Sequence, residues 1–330
     1  MKPSHALSTL SLLTTTTLAL PSAAPNKTTT SWRGFKNLKN LFIFGDSYTQ
    51  TGFTPTGSAP SPSNPLGNPN YPGWTSSNGP NWVGFLTTTY NASLVYTYNL
   101  AYGGATVDSA LVTPYAPTVL SLKNQVEDLY IPNYGAGTAS GRKWTAQDSL
   151  FAVWIGINDV GNTWWLNNAT LYDAIFAEYT SLLTKLYDTG ARNFLLLNVP
   201  PINQAPLTLK NGPDVVEAEG NVILDWNRRT AALAKKFQAE KKGTKAWVFD
   251  TWALYMSVLG DVSTWDQTKG LKNVTGFCDK YANGAPTWYT KDPDCAYAVN
   301  EYFWLNDLHP TFPVHNATAK GVADFLKKAK

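Results

Sequence analysis

Charge and histidine are both scarce in this 330-residue chain. Charged residues make up 15% of it, and the formal balance is +3. No basic run or basic amphipathic helix stands out, so no nucleic-acid partner is expected. There are 3 histidines and 2 cysteines. They form no cluster at zinc-ligand spacing, so no metal and no cofactor is expected. After the first residues no stretch is apolar for the roughly 18 residues that a membrane helix needs, so no membrane partner is expected either. No internal repeat is visible.

The amino terminus reads as a leader. Met1, Lys2 and His5 make a short basic start. A weakly apolar run from Ala6 to Leu20 follows, diluted by Thr14 to Thr17. Pro21, Ser22, Ala23 and Ala24 are the small residues a signal peptidase accepts. We read residues 1–24 as a signal peptide, 25–37 as a polar tail, and 38–330 as one domain with insertions near 51–80 and 269–300. The protein is then expected to be secreted and extracellular. In an oxidising compartment Cys278 and Cys295 would pair, since neither has another partner, and the bridge would contribute roughly 3 kcal/mol. Two buried free thiols are the alternative. Asn26, Asn91, Asn168, Asn273 and Asn316 each begin an Asn-X-Ser/Thr glycosylation sequon. We expect a monomer.

From Leu38 onward, short apolar runs alternate with longer amphipathic ones. Leu41–Phe44, Tyr96–Ala101, Leu150–Ile155, Phe194–Val199 and Ala246–Phe249 read as strands, most of them stopped by Gly, Pro or Asp. Continuously apolar strands suit a parallel sheet covered on both faces. Helical spacing falls at 81–89, 119–130, 171–188, 215–241 and 317–328. The fold class is therefore α/β: a three-layer α/β/α sandwich around a central, mainly parallel five-stranded sheet.

Four short segments follow these strands or precede the last helix. Gly45-Asp46-Ser47 ends the first strand, where a serine on the turn can present its hydroxyl to a ligand. Set against this is a helix-capping serine beside a turn-forming aspartate. Gly103-Gly104 ends the second strand, and Gly156-Ile157-Asn158-Asp159 ends the third. Backbone N–H groups and an Asn amide there can stabilise an oxyanion. A tight turn and a helix cap are the bland readings. A serine nucleophile needs a base, and beyond the leader only His309 and His315 are available. His309 lies in Asn306-Asp307-Leu308-His309-Pro310, with a carboxylate two residues away; His315 has no adjacent acid.

In this order the four segments resemble the SGNH, or GDSL, hydrolase superfamily. The resemblance implies the SGNH hydrolase fold, with Ser47, Gly104, Asn158 and His309 in the family's four named roles. It implies catalysis by Ser47, Asp307 and His309, and an oxyanion hole from Ser47, Gly104 and Asn158. The family's Asp usually stands three residues before the histidine, where this chain has Asn306. Asp307 is favoured for the role because a carboxylate stabilises the developing imidazolium and a neutral amide does not; Asn306 itself or a backbone carbonyl is the alternative for orienting the ring. The segment after Ser47 and the Asn64-Pro65-Leu66-Gly67-Asn68 loop resemble fungal secreted carbohydrate esterases of family sixteen. These imply an acetylesterase on acetylated xylo-oligosaccharides, working through an acetyl-Ser47 intermediate in hemicellulose degradation. Trp74, Trp164 and Trp165 are candidate sugar platforms, with Trp82 a further possibility; core packing is the competing role for each. Two rival expectations are a lipase or phospholipase on the same scaffold and a carbohydrate-binding protein without catalysis.

Overall fold

The computed structural model describes residues 31–330; residues 1–24, expected to be a signal peptide, and Asn26 lie outside them. Five strands form one parallel sheet: β1 (Asn40–Gly45), β2 (Tyr96–Asn99), β3 (Ser149–Trp154), β4 (Asn193–Leu197) and β5 (Lys245–Phe249). Their spatial order is β2-β1-β3-β4-β5. Every residue of β1, β3 and β4 is buried, whereas β5, at the edge, is mostly half-buried. Full burial thus marks the strands that have neighbours on both sides. Phe42 stacks on Tyr98 and on Phe151, at 5.1 and 4.9 Å between ring centres, and Phe151 meets Phe194 at 5.8 Å. Each pair is also a register pair. A row of aromatic rings therefore ties four strands together, at about 1 kcal/mol per pair beyond simple burial.

Helices flank the sheet, completing the three-layer sandwich. They are α1 (Trp82–Thr88), α2 (Ile157–Gly161), α3 (Ala169–Asp188), α4 (Pro213–Glu240), α5 (Thr251–Gly260) and α6 (Phe312–Lys328). A further helical stretch, 122–134, passes through a π-turn at Gln125–Tyr130. α6 packs against α1 and α5, while α4 packs against α3 and β5.

The structure departs from the expected elements in several places, two of which involve buried packing and a helix cap. Residues 31–37 are part of the folded body, so they are not a tail. Trp32 and Phe35 are buried, the Trp32 ring meets Trp247 edge-on at 5.2 Å, and its indole N–H donates to the Ala329 carbonyl. Two aromatics among polar neighbours are too few to show a period. The second departure is α5, which begins at Thr251 and has no counterpart among the expected helices. Asp250, expected only as a strand stop, accepts a hydrogen bond from Ala253 N at 3.0 Å and caps that helix.

The two insertions are joined. Asn78, with φ of 52°, accepts from Ala285 N through its side-chain oxygen and donates to the Thr287 carbonyl. Cys278 and Cys295 are disulfide-bonded within the second insertion, beside a small separate cluster that includes Tyr281, Val299 and Tyr302.

Candidate active site

Strand order gathers the site. β2, β1 and β3 are adjacent and parallel, so the turns after them emerge side by side. These turns carry Gly104, Ser47 and Asn158. His309 arrives from the loop before α6. Its Nε2 lies 2.8 Å from Ser47 Oγ.

The serine turn is held from beneath by amides. The Gln125 side chain accepts from Gly45 N at 2.9 Å and donates to the Gly45 carbonyl at 2.8 Å, fully buried. Asn81 and Asn99 both donate to the Thr49 carbonyl, at 2.8 and 2.7 Å. Buried amides paired in this way are rigid, because breaking either bond leaves a desolvated polar group. None of the three stands out in the sequence; an apolar period that admits one buried Gln at 125 is the only available signal. Tyr48 joins the serine turn to the histidine loop, donating its hydroxyl to the Leu308 carbonyl at 2.5 Å.

The oxyanion side is built from backbone and one amide. Among the described residues, the Ser47 and Gly104 N–H groups donate to no other protein group. Gly104 has φ of 82°, and a Cβ there would lie 2.2 Å from the Tyr115 ring, so only glycine fits without strain. Asn158 donates one N–H to the Ala105 carbonyl at 2.9 Å, which leaves its second for a ligand. The adjacent Asp159 carboxyl accepts from Val107 N at 3.0 Å. The turn after β3 is thereby fastened to the turn after β2, and the donors of both are held at the same end of the parallel sheet.

The third catalytic position differs from expectation. His309 Nδ1 faces Asn306 Oδ1 at 3.1 Å. That oxygen also accepts from Leu308 N and His309 N, while the Asn306 amide nitrogen donates to the Ala282 carbonyl at 3.2 Å. These partners fix which end of the amide is oxygen. An oxygen with no proton forces Nδ1 to carry one, so Nε2 is the acceptor that faces Ser47. Asp307 is not the orienting group: it meets the rest of the fold through its backbone carbonyl, which accepts from Leu207 N. Hydrogen bonding of 305 to 309 and of 303 to 311 folds the loop back tightly. The residue three before the histidine turns under the ring, and the residue two before turns outward.

Burial sets the electrostatics. Desolvation pushes the His309 pKa down to about 4, with no carboxylate to oppose it. His315, packed against Tyr48, is pushed down to about 3 by burial and by His309. It is a core residue and not a second base. Burial also pushes the Asp46 carboxyl up to about 8 and that of Asp159 up to about 7. At neutral pH the base is therefore uncharged and competent to accept a proton.

A cleft of about 420 Å³ opens beside His309, walled by both insertions, with Trp74 and Trp288 among its residues. Trp74 also borders a second cleft of about 650 Å³, more apolar, reaching Gly103, Phe53, Leu120 and Leu129. Trp74 is 72% exposed between the two. Trp164 and Trp165 do not join the site. They line a separate cleft with residues of α3 and α4, which contains none of Ser47, Gly104, Asn158 and His309. Trp82 is fully buried, its indole N–H bonded to Thr49. Among the described residues no group of three or more His, Cys, Asp or Glu could hold a metal ion.

A serine bonded to an uncharged histidine, beside free oxyanion donors at the ends of parallel strands, defines a serine hydrolase centre. The chain belongs to the GDSL-like lipase/acylhydrolase family, whose sequence pattern matches residues 41–322, and it is an ester hydrolase. It is 41% identical over 325 residues to an acetylesterase of Thermothelomyces thermophilus, across 96% of this chain and 97% of that one. It is 25% identical to an acetylesterase of Hypocrea jecorina, across 83% and 85% of the two chains. A mutant of Axe2, an acetyl-xylooligosaccharide esterase from Geobacillus stearothermophilus, shares the fold, with a TM-score of 0.50 and 15% identity. The match covers 87% of this chain and 94% of that one.

Proposed function

We propose that this chain is a secreted acetylesterase that removes acetyl groups from acetylated oligosaccharides, through an acetyl group carried on Ser47. The observation that carries the reading is the 2.8 Å contact of Ser47 Oγ with the acceptor nitrogen of His309. In the first step His309 Nε2 takes the Ser47 proton while Oγ attacks the acetyl carbonyl. The negative charge that forms on the carbonyl oxygen is met by Ser47 N–H, Gly104 N–H and the second N–H of Asn158. On collapse the sugar oxygen leaves with the proton from His309. Water, deprotonated by His309, then attacks the acetyl-enzyme, and acetate departs as Ser47 regains its proton.

The substrate class is supported by the polar, loop-walled cleft beside His309, with exposed Trp74 at its rim. Such a rim suits the apolar face of a sugar ring. The two acetylesterase relatives support the acetyl group. The two cysteines, disulfide-bonded here, support export. The apolar cleft on the other side of Trp74 favours a second reading, a lipase for longer acyl chains. The intact Ser47–His309 contact weighs against a binding protein without catalysis.

The reading is tested with wild type, Ser47→Ala and Trp74→Ala on nitrophenyl esters from acetate to palmitate and on acetylated xylo-oligosaccharides. We expect activity to collapse beyond short acyl chains, acetate to be released from the oligosaccharides, and both to vanish in Ser47→Ala. Trp74→Ala should raise KM on the oligosaccharides while leaving nitrophenyl acetate nearly unaffected. A maximum at octanoate or beyond would transfer the assignment to a lipase.

A further inference from the structure

The aromatic pair that the active site does not use lies beside a sequon. Trp165 and Leu166 are 57% and 52% exposed, an uncommon placement for two large apolar neighbours. Asn167 follows in the left-handed region, with φ of 44°, and turns the chain back. Asn168, Ala169 and Thr170 then complete the sequon, all exposed. Trp164, Trp165 and Asn168 line one cleft of about 700 Å³, which Arg228 and Arg229 of α4 also line.

We propose that Asn168 carries an N-linked glycan whose first sugars lie on the Trp165 indole and fill this cleft. The inference rests on the proposed secretory route. In the modification, Asn168 Nδ2 bonds to the anomeric carbon of an oligosaccharide. The bond from that carbon to the pyrophosphate of a lipid-linked donor breaks, and Nδ2 releases one proton. The Asn168 side chain is suited to this: its oxygen caps α3 by accepting from Leu171 N at 3.1 Å, while its nitrogen has no hydrogen-bond partner among the described residues. The cap fixes the side-chain direction, so the attached sugar starts from a defined position. A sugar tethered that close is at high effective concentration, and its apolar C–H face covers an indole that otherwise meets water. The other described sequon asparagines, Asn91, Asn273 and Asn316, are all half-buried. Asn316 also accepts the Tyr90 hydroxyl within α6, and its Thr318 is fully buried.

The test is expression in a glycosylating yeast behind a heterologous secretion signal, so that failure of this chain's own leader cannot mask the result. Wild type, Thr170→Val, Trp165→Ala and the double variant are compared by peptide mass and by thermal melting. Thr170→Val abolishes the sequon but keeps the Asn168 cap. We expect the Asn168 peptide to carry glycan in wild type and Trp165→Ala. Thr170→Val should lower Tm by roughly 2 °C in the wild-type background and have no effect in the Trp165→Ala background. An unmodified Asn168, or an equal Tm change in both backgrounds, would overturn the proposal.

Discussion

Replacing Asn306 with aspartate isolates what a neutral amide does under a catalytic imidazole. In the wild type, Asn306 Oδ1 receives three N–H donors, one of them His309 Nδ1. The imidazolium that forms during attack therefore gains a dipole and not an opposite charge. A carboxylate at the same place, one hydrogen bond from the ring, raises a histidine pKa by roughly 1–3. The His309 pKa of about 4 should then move up by that amount. The base is active when neutral, so the acid limb of kcat/KM should move to higher pH by the same interval. On the plateau, near pH 8, every tenfold gain in the proton affinity of the ring corresponds to about 1.4 kcal/mol of imidazolium stabilisation. If half of this charge has developed in the transition state, a gain of about a hundredfold in proton affinity speeds the reaction by about tenfold. The exchange also removes the amide donor to the Ala282 carbonyl and leaves that oxygen facing a carboxylate. We expect a loss of about 1–3 kcal/mol in folding stability. The assay is a pH profile on nitrophenyl acetate for wild type, Asn306→Asp and Asp307→Asn, with chemical denaturation alongside. Asp307→Asn should leave the acid limb in place. If Asp307→Asn moved the limb and Asn306→Asp did not, Asp307 would be the orienting group and the reasoning would be refuted.

Asn158→Ala should lower kcat about 100- to 1000-fold through loss of an oxyanion donor, with KM on nitrophenyl acetate little changed; a loss under tenfold would remove Asn158 from that role. Asp46 provides a pH test of stability. Its folded pKa of about 8 exceeds the ordinary 3.8 because burial favours the neutral carboxyl. That stabilisation is complete below the unfolded value and is lost as pH rises through the folded one. Between pH 7 and 8, above the Asp159 value of about 7, Asp46 passes from about one-tenth to one-half ionised in the folded state, and wild type should lose about 1 kcal/mol through Asp46 alone. Asp46→Asn, which keeps the acceptor for Tyr48 N, should flatten the slope, and equal slopes in denaturant titrations would exclude an uncharged Asp46. Cysteine-to-serine replacement at both 278 and 295 should lose about 3 kcal/mol of stability. Because that insertion walls the cleft beside His309, acetate release from oligosaccharides should fall more than hydrolysis of nitrophenyl acetate; a parallel fall in both would place the effect outside the cleft.

The sheet and the reacting pair are legible in the linear chain. β1, β3, β4 and β5 are visible as apolar runs ending at turn residues, and β2 as a Tyr-rich run interrupted by Thr97 and Asn99; in β1, β3 and β4 full burial leaves no polar alternation. The serine, glycine and asparagine stand shortly after those runs, and the histidine is one of only two among the described residues. Packing of the layers settled the rest. Asn306 and Asp307 are neighbours in sequence, and only the backbone path of the 303–311 loop sets which one lies under the ring. Trp74 and Trp165 are equally aromatic, yet the first borders the catalytic cleft and the second stands over α3 and α4, because strand order and crossover direction place their loops apart. Gln125 holds the serine turn from a helix 80 residues further along the chain. Periodicity and turn chemistry act over a few residues and survive in a linear reading. Which side chains converge depends on how the layers pack, and that is set by burying all the apolar faces at once.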